Sequence, residues 1–260
     1  MRSLSRVVKQ GLKQGEALPT AYKKLEDAGI YFRKSDLHMI AGKPGQGKTF
    51  LALNLAFKTE VPTLYFSNDS NEVTVASRTI SYFTGTPTRE VESRLDDEKE
   101  KASELLARRV PHIRWCFDSA PTLKDLEEEL EAFRELYGAY PACTIVDILM
   151  LVNYAEDSEH ATASRVMAFL KHLARSCGTA MVVVHHCSEA DAQGRSMAVC
   201  PPLSAVQQKV NQFPALVLTV ANEAEKFFIA PVKSRGSLSE PSGRTALAFQ
   251  WEPTIARISE

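Results

Sequence analysis

Gly42-Lys43-Pro44-Gly45-Gln46-Gly47-Lys48-Thr49 is a complete GxxxxGK[ST] run. The apolar stretch Leu37-His38-Met39-Ile40-Ala41 precedes it, and an amphipathic helical pattern from Phe50 to Phe57 follows. Strand, glycine-rich loop and helix in that order are what a phosphate-binding loop requires. The strand delivers the chain, and the helix N-terminus aims its free N–H groups at an anion. The glycines let the backbone wrap close to phosphates. Lys48 is placed to reach the β and γ oxygens, and the Thr49 hydroxyl to ligate Mg²⁺. The run from Gly42 to Thr49, with Phe50 just inside the helix, is therefore the expected contact set for a nucleoside triphosphate. A glycine-rich turn that merely opens a helix is the alternative, and the flanking strand and helix weigh against it.

The chain has 260 residues, 44% hydrophobic and 24% charged, with a net charge of −1. That is enough to bury a core in one large α/β domain, or in one domain with an added arm. The near-neutral balance excludes a bulk electrostatic pull toward nucleic acid, so any such binding needs a local basic patch. Five cysteines, Cys116, Cys143, Cys177, Cys187 and Cys200, are odd in number and form no CxxC pair. They read as reduced thiols in a cytoplasmic protein, not as a disulfide framework or a zinc site. Cys187 follows His185 and His186 but lacks a fourth ligand at suitable spacing, so it reads as a strand-end cysteine. With no signal peptide and no run of 18 apolar residues, the expectation is a cytoplasmic location without a membrane segment.

Two regions are expected: an N-terminal arm over 1–25 and a single domain over 26–260. In the arm, Leu4, Val7, Val8 and Leu12 recur at helical spacing among Arg2, Arg6, Lys9 and Lys13, a short basic amphipathic helix punctuated by Gly15 and Pro19. Such a helix packs on its own domain or on a neighbouring subunit. From Asp36 onward strands alternate with helices. The strands expected are 37–41, 63–66, 113–117, 143–147 and 180–184; the helices are 49–58, 71–82, 96–109, 123–136 and 164–177. This alternation predicts an α/β fold with a mostly parallel sheet covered by helices on both faces. Three late strands, 215–220, 227–231 and 245–250, lack intervening helices and predict an antiparallel extension at one edge.

Other residues are placed to complete a triphosphate site. Ile145-Val146-Asp147 is an apolar strand ending in a carboxylate, suited to holding Mg²⁺ from a strand adjacent to the loop. Asp69 follows the second strand at the rim where ligands collect in open α/β sheets, and could orient or deprotonate a water. The simpler alternative is that Asn68, Asp69, Ser70 and Asn71 cap the next helix. Val182-Val183-Val184-His185-His186 opens into polar residues at the same rim, so a histidine there could contact the γ-phosphate. Lys233-Ser234-Arg235-Gly236 sets two cations on one side of an extended segment, as a phosphate clamp or a trans-acting arginine finger would. An ordinary basic turn is the alternative.

Read in order, these segments resemble the RecA-like ATPase domain of DnaB-family replicative helicases, from about Gly29 to the C-terminus. The loop with Leu51-Ala52-Leu53-Asn54 is similar to the family's first motif, and Leu64-Tyr65-Phe66-Ser67-Asn68-Asp69-Ser70 to its second. Ile145-Val146-Asp147-Ile148-Leu149 is similar to the Walker B strand, and Val182–His186 to the third motif. The resemblance implies ATP and Mg²⁺ as cofactors, with Lys48, Asp69, Asp147 and His186 as active-site residues. It places Arg78 close to the nucleotide, and it gives Lys233 and Arg235 to ATP held by the neighbouring subunit. It further implies single-stranded DNA as partner, a homo-oligomer of hexameric ring type, and a primase or loader. DNA contacts are expected from loops near 153–163 and 190–211, with Arg195 and Lys209 meeting phosphates.

The departures are specific. Asp69 stands where the family carries glutamate, and His186 where it carries glutamine. The stretch from Gln207 to Phe213 is short and lacks the family's arginine- and acid-rich pattern. The family's N-terminal primase-interacting domain is not matched, which suggests a minimal, phage-type relative. A recombination or annealing ATPase of the RecA/RadA type is a rival reading. So is an ATP-gated helicase loader with weak turnover.

Overall fold

The computed structural model describes residues 15–153, 159–188, 200–236 and 239–260. The basic helix expected around Leu4 to Leu12 lies outside these residues, as do Arg195 and part of each expected DNA loop. The strands are β1 (Leu37–Gly42), β2 (Thr63–Ser67), β3 (Ile113–Cys116), β4 (Cys143–Asp147), β5 (Ala180–His186), β6 (Leu216–Glu223), β7 (Lys226–Ser234), β8 (Leu247–Glu252) and β9 (Arg257–Ser259). The helices are α1 (Lys23–Asp27), α2 (Lys48–Thr59), α3 (Glu72–Thr84), α4 (Thr88–Arg94), α5 (Lys99–Arg109), α6 (Leu123–Tyr137) and α7 (Glu159–Cys177).

The strands form one nine-stranded sheet in the order β3-β2-β4-β5-β1-β6-β7-β8-β9. From β3 to β6 all pairs are parallel, and from β6 to β9 all are antiparallel. The alternation of side chains along each strand splits the core in two. Ile40, Ile145, Val182 and Val184 face one layer with α2 and α3, while Met39, Ala41, Val146 and Val183 face the other with α6 and α7. β1 is buried at every position, because helices cover both faces of the parallel region. Local signals support the helices. Thr122 and Asp125 make a capping box at the start of α6, and Gly138 closes that helix in the left-handed region.

Several sequence expectations shift. The sequence pattern assigns β6 to the antiparallel extension, but it pairs in parallel with β1, and the antiparallel part begins with β7. The Asp147 strand is not the sheet neighbour of β1, since β5 lies between them, yet its end reaches the loop at Thr49. Helix α4 has no counterpart among the expected elements: Pro87 starts it, and Val91 is its single buried residue, too little for a periodic apolar signal. Leu18, Tyr22 and Leu25 are in the core, so packing begins before the expected boundary at 26.

A buried polar side chain of α2 latches the C-terminal strand from the helix side. Asn54 in α2 is fully buried; its amide donates to the Ala256 carbonyl at 2.9 Å and its carbonyl accepts from the Ile258 N–H at 3.0 Å. This latch sets β8, and with it Trp251, against the start of α2, where Phe50 meets Trp251 edge-on at 5.3 Å. Asn54→Ala would leave two buried backbone groups unpaired, at a cost of about 2–4 kcal/mol. Urea denaturation followed by circular dichroism is expected to show a midpoint lowered to match, with an unchanged slope.

Candidate nucleotide-binding site

β1 ends at Gly42 and α2 begins at Lys48, so the loop between them opens at the C-terminal rim of the parallel strands. Two glycines there are required by close approach. A Cβ on Gly42 would meet the Val220 carbonyl oxygen at 2.9 Å. Gly47 has φ +80°, and a Cβ on it would meet the Phe227 ring at 2.7 Å. The loop is also fastened from the side. Asn222 N–H donates to the Gln46 side-chain oxygen at 2.7 Å, and the Asn222 amide donates to the Gly45 carbonyl at 3.2 Å.

A cleft beside this loop is lined by Pro44, Gly45, Gly47, Lys48, Thr49 and Phe50, and across from them by Asp69, Arg78, Asp147 and His186. Ser70 and Ile148 complete its wall. Gly42, Lys43 and Gln46 do not line it: Gln46 is turned toward β6, and the Lys43 carbonyl accepts from Lys48 Nζ at 2.9 Å. Burial pushes the Lys48 ammonium below the usual lysine range, against the opposing pull of Asp147.

Asp147 ties the cleft together. Its Oδ1 accepts from the Thr49 hydroxyl at 3.3 Å, and its Oδ2 from the Tyr65 hydroxyl at 2.8 Å. Its backbone carbonyl accepts from Asn68 N–H at 2.7 Å and Asp69 N–H at 3.4 Å. Asp69 is thereby held at the end of β2, exposed on the cleft. Capping of α3 falls instead to Asn71, whose side chain accepts from Thr74 N–H at 2.9 Å. Arg78 reaches back from α3 to the Ser70 hydroxyl at 3.2 Å, with its guanidinium over the Phe50 ring at 5.1 Å. His186 stays below the usual histidine range through burial and then the Lys48 charge, so a neutral imidazole faces the cleft.

Lys233 and Arg235 lie at the other end of the sheet. Lys233 pairs with Val217 and Val217 with Met39, while Arg235 N–H donates to the Ala215 carbonyl, beside the start of β1. Those levels are about 10 Å for Lys233 and about 16 Å for Arg235 along the strands from Gly42. Lys233 Nζ donates to the carbonyls of Asn211 and Gln212 at 2.7 and 3.1 Å, and Arg235 is exposed. Lys209 is exposed in the 3-10 segment Gln207–Gln212, where it and Gln208 adopt left-handed backbone angles. Sequence reasoning passes over Tyr65 and Asn222. A tyrosine inside an otherwise apolar strand is the available signal for the first; nothing in the sequence marks the second.

Burial is the largest influence on Asp147 and raises its carboxyl to about 6, with Asp69 adding to the rise and the two hydroxyls and Lys48 opposing it. An acid whose pKa rises on folding costs nothing below its unfolded value near 4. The cost grows as pH climbs through that value and is complete above about 6, where it reaches about 3 kcal/mol. Nucleotide-free Asp147→Asn is therefore expected to melt several degrees above the parent at about pH 7.5, with the gain shrinking toward about pH 5. Differential scanning fluorimetry across that range checks both the sign and the trend.

Comparison with known proteins agrees with this geometry. Residues 17–206 match the family model described as the DnaB-like helicase C terminal domain. The Gene 65 protein of Mycobacterium phage L5 is 28% identical over 259 residues, covering 95% of this chain and 94% of that protein. The Gene 65 protein of Mycobacterium phage D29 is 30% identical, covering 85% and 98%. A probable replicative DNA helicase of Guillardia theta is 28% identical over 65% of this chain, which corresponds to 30% of that longer protein. Among solved structures, that of a DnaB-like replicative helicase superposes with a TM-score of 0.76 at 13% identity, covering 98% of this chain and 64% of that one. An ATPase domain solved by itself superposes with a TM-score of 0.77 at 14% identity, covering 98% and 95%, and these matches place the fold among RecA-like ATPase domains. Among the described residues, no helix is long and apolar enough to cross a membrane.

Proposed function

The chain belongs to the DnaB-like helicase C-terminal domain family, a family of replicative helicases; from that premise we propose that it is an ATP-driven motor on single-stranded DNA, with ATP bound at interfaces between copies in a hexameric ring. The observation that carries this reading is the separation of the charged groups along the sheet. Lys48, Thr49, Asp69 and Asp147 gather at one rim, whereas Lys233 and Arg235 sit about 10 and about 16 Å along the strands toward the other, and neither lines the cleft. A head-to-tail contact between copies supplies them to the next subunit's cleft, and a head-to-tail contact that closes gives a ring.

In this arrangement Lys48 and the loop amides hold the β- and γ-phosphates, Phe50 and Arg78 border the nucleotide, and His186 faces the γ-phosphate. Asp69 orients the attacking water. The site fits Mg²⁺. Asp147 is a buried carboxylate that no ion pair reaches among the described residues, with the Thr49 hydroxyl beside it. A magnesium ion held there would neutralise charge building on the phosphate oxygens. Lys209, Arg195 and backbone amides of the two loops contact DNA phosphates. The basic N-terminal arm ties each subunit to its neighbour, a primase or loader is the further partner, and the cytoplasm is where the motor works.

Mixing two inactive variants tests the shared site. Lys48→Ala should abolish turnover at its own cleft. Arg235→Ala should bind nucleotide normally while turnover falls about 10³-fold or more. A mixture of the two should recover part of the DNA-stimulated ATPase rate, and no recovery at any ratio would remove the shared-interface reading.

One feature favours a second reading, an ATP-gated assembly factor. Asp69 is a methylene shorter than glutamate, which weakens its hold on a water. ATPase rates with and without single-stranded DNA, for the parent and Asp69→Glu, separate the two. A motor is stimulated by DNA as it stands; a switch is not, and it gains turnover only with the longer acid.

A further inference from the structure

We propose that Tyr65 is a positioning residue for the metal-binding carboxylate, holding Asp147 in the orientation that presents its free edge to a divalent cation beside Thr49. This rests on the metal-dependent nucleotide binding proposed above. The register of the sheet creates the contact. β2 and β4 run in parallel with Tyr65 opposite Ile145 and Ser67 opposite Asp147. Tyr65 and Ser67 are two residues apart and so share a face, which makes Tyr65 the diagonal neighbour of Asp147. A diagonal spans about 7–8 Å between positions, within reach of an aromatic side chain but not of a short aliphatic one. The phenol closes that span, and its hydroxyl donates to Asp147 Oδ2 at 2.8 Å.

This bond is shorter than the one from Thr49, which meets Oδ1 at 3.3 Å. The distances assign the firmer tether to Tyr65. The two hydroxyls take opposite oxygens, so the carboxylate cannot turn about its terminal torsion without breaking the Tyr65 bond. Thr49 is itself committed to the cation in a triphosphate site, and its hydroxyl oxygen then coordinates. Tyr65 alone keeps its hold in both states. The ring is also fixed from behind: Tyr65 has no exposed surface and packs on Trp115 at 4.9 Å between centroids. The donor is therefore rigid, as a partner that orients a ligand must be.

Tyr65→Phe keeps the ring and its packing while removing the donor. Fluorescence titration with an N-methylanthraniloyl ATP analogue gives two readouts on the full chain: nucleotide affinity in EDTA, and the Mg²⁺ concentration for half-maximal enhancement. The expected result is metal-free affinity within twofold of the parent and a half-saturating Mg²⁺ concentration raised about 10-fold or more. In an Asp147→Asn background the same substitution should change neither readout, because no carboxylate remains to be held. If the parent responds to Mg²⁺ and Tyr65→Phe matches it within twofold, Tyr65 only fills the core and this inference fails alone. A parent that binds nucleotide without any Mg²⁺ response overturns this inference and the metal-dependent site together.

Discussion

Four hydrogen bonds converge on Asp147, two on its carboxylate and two on its backbone carbonyl. Through them the start of α2, the end of β2 and the end of β4 are set relative to one another. The arrangement has an intrinsic tension. A carboxylate taken largely out of water loses hydration, and two neutral hydroxyls compensate only in part, so its pKa climbs to about 6. The fold tolerates a carboxylate that its own neighbours under-compensate. That is the condition under which a divalent cation gains most on arrival.

The sheet turns this local chemistry into a directional one. All strands from β3 to β6 run the same way, so every strand end that opens onto the cleft lies at one rim. β5 between β1 and β4 does not separate Asp147 from Thr49, because α2 crosses over the same face that Asp147 shares with Ile145. β5 instead contributes His186, which lines the cleft between the two halves. At the next position, His185 points into the other layer, where its Nε2 lies 3.2 Å from the Gln207 carbonyl. Adjacent residues of one strand thus face the cleft beside the glycine-rich loop on one side and the segment leading to Lys209 on the other.

Much of this is legible in the sequence, for physical reasons that differ by feature. The phosphate loop is readable because glycine at a left-handed turn and lysine at a helix start are local requirements, stated within eight residues. The parallel core is readable because strands buried on both faces become continuous apolar runs, as in Val182-Val183-Val184. Strand order is not readable. The place of β5 between β1 and β4 is decided by packing across the whole sheet, and no short segment encodes it. The same holds for the direction of β6, since an apolar run looks alike in parallel and antiparallel pairing. Tyr65 stands in plain view, but only the β2–β4 register reveals that its hydroxyl meets a carboxylate. Asn222 is further still from recognition, being one ordinary asparagine whose partner lies 176 residues away.

The β6–β7 hairpin gives these separate contacts a common frame. At its turn end, Asn222 grips Gln46 and Gly45 of the phosphate loop, and Phe227 fills the space that Gly47 leaves open. At its far end, Lys233 and Arg235 stand at the opposite rim. Between them runs a paired ladder of eight register positions, interrupted by a single irregularity between Val217 and Leu218. A hydrogen-bonded ribbon buried against β1 does not bend easily over that length. In the proposed ring one such ribbon touches two nucleotides, its own at the turn and its neighbour's at Arg235. A shift of the loop on binding phosphate must then be absorbed at Asn222, taken up at the Val217 irregularity, or carried to the far cations. The carbonyls of Asn211 and Gln212 that now hold Lys233 are the contacts that such a movement would have to break.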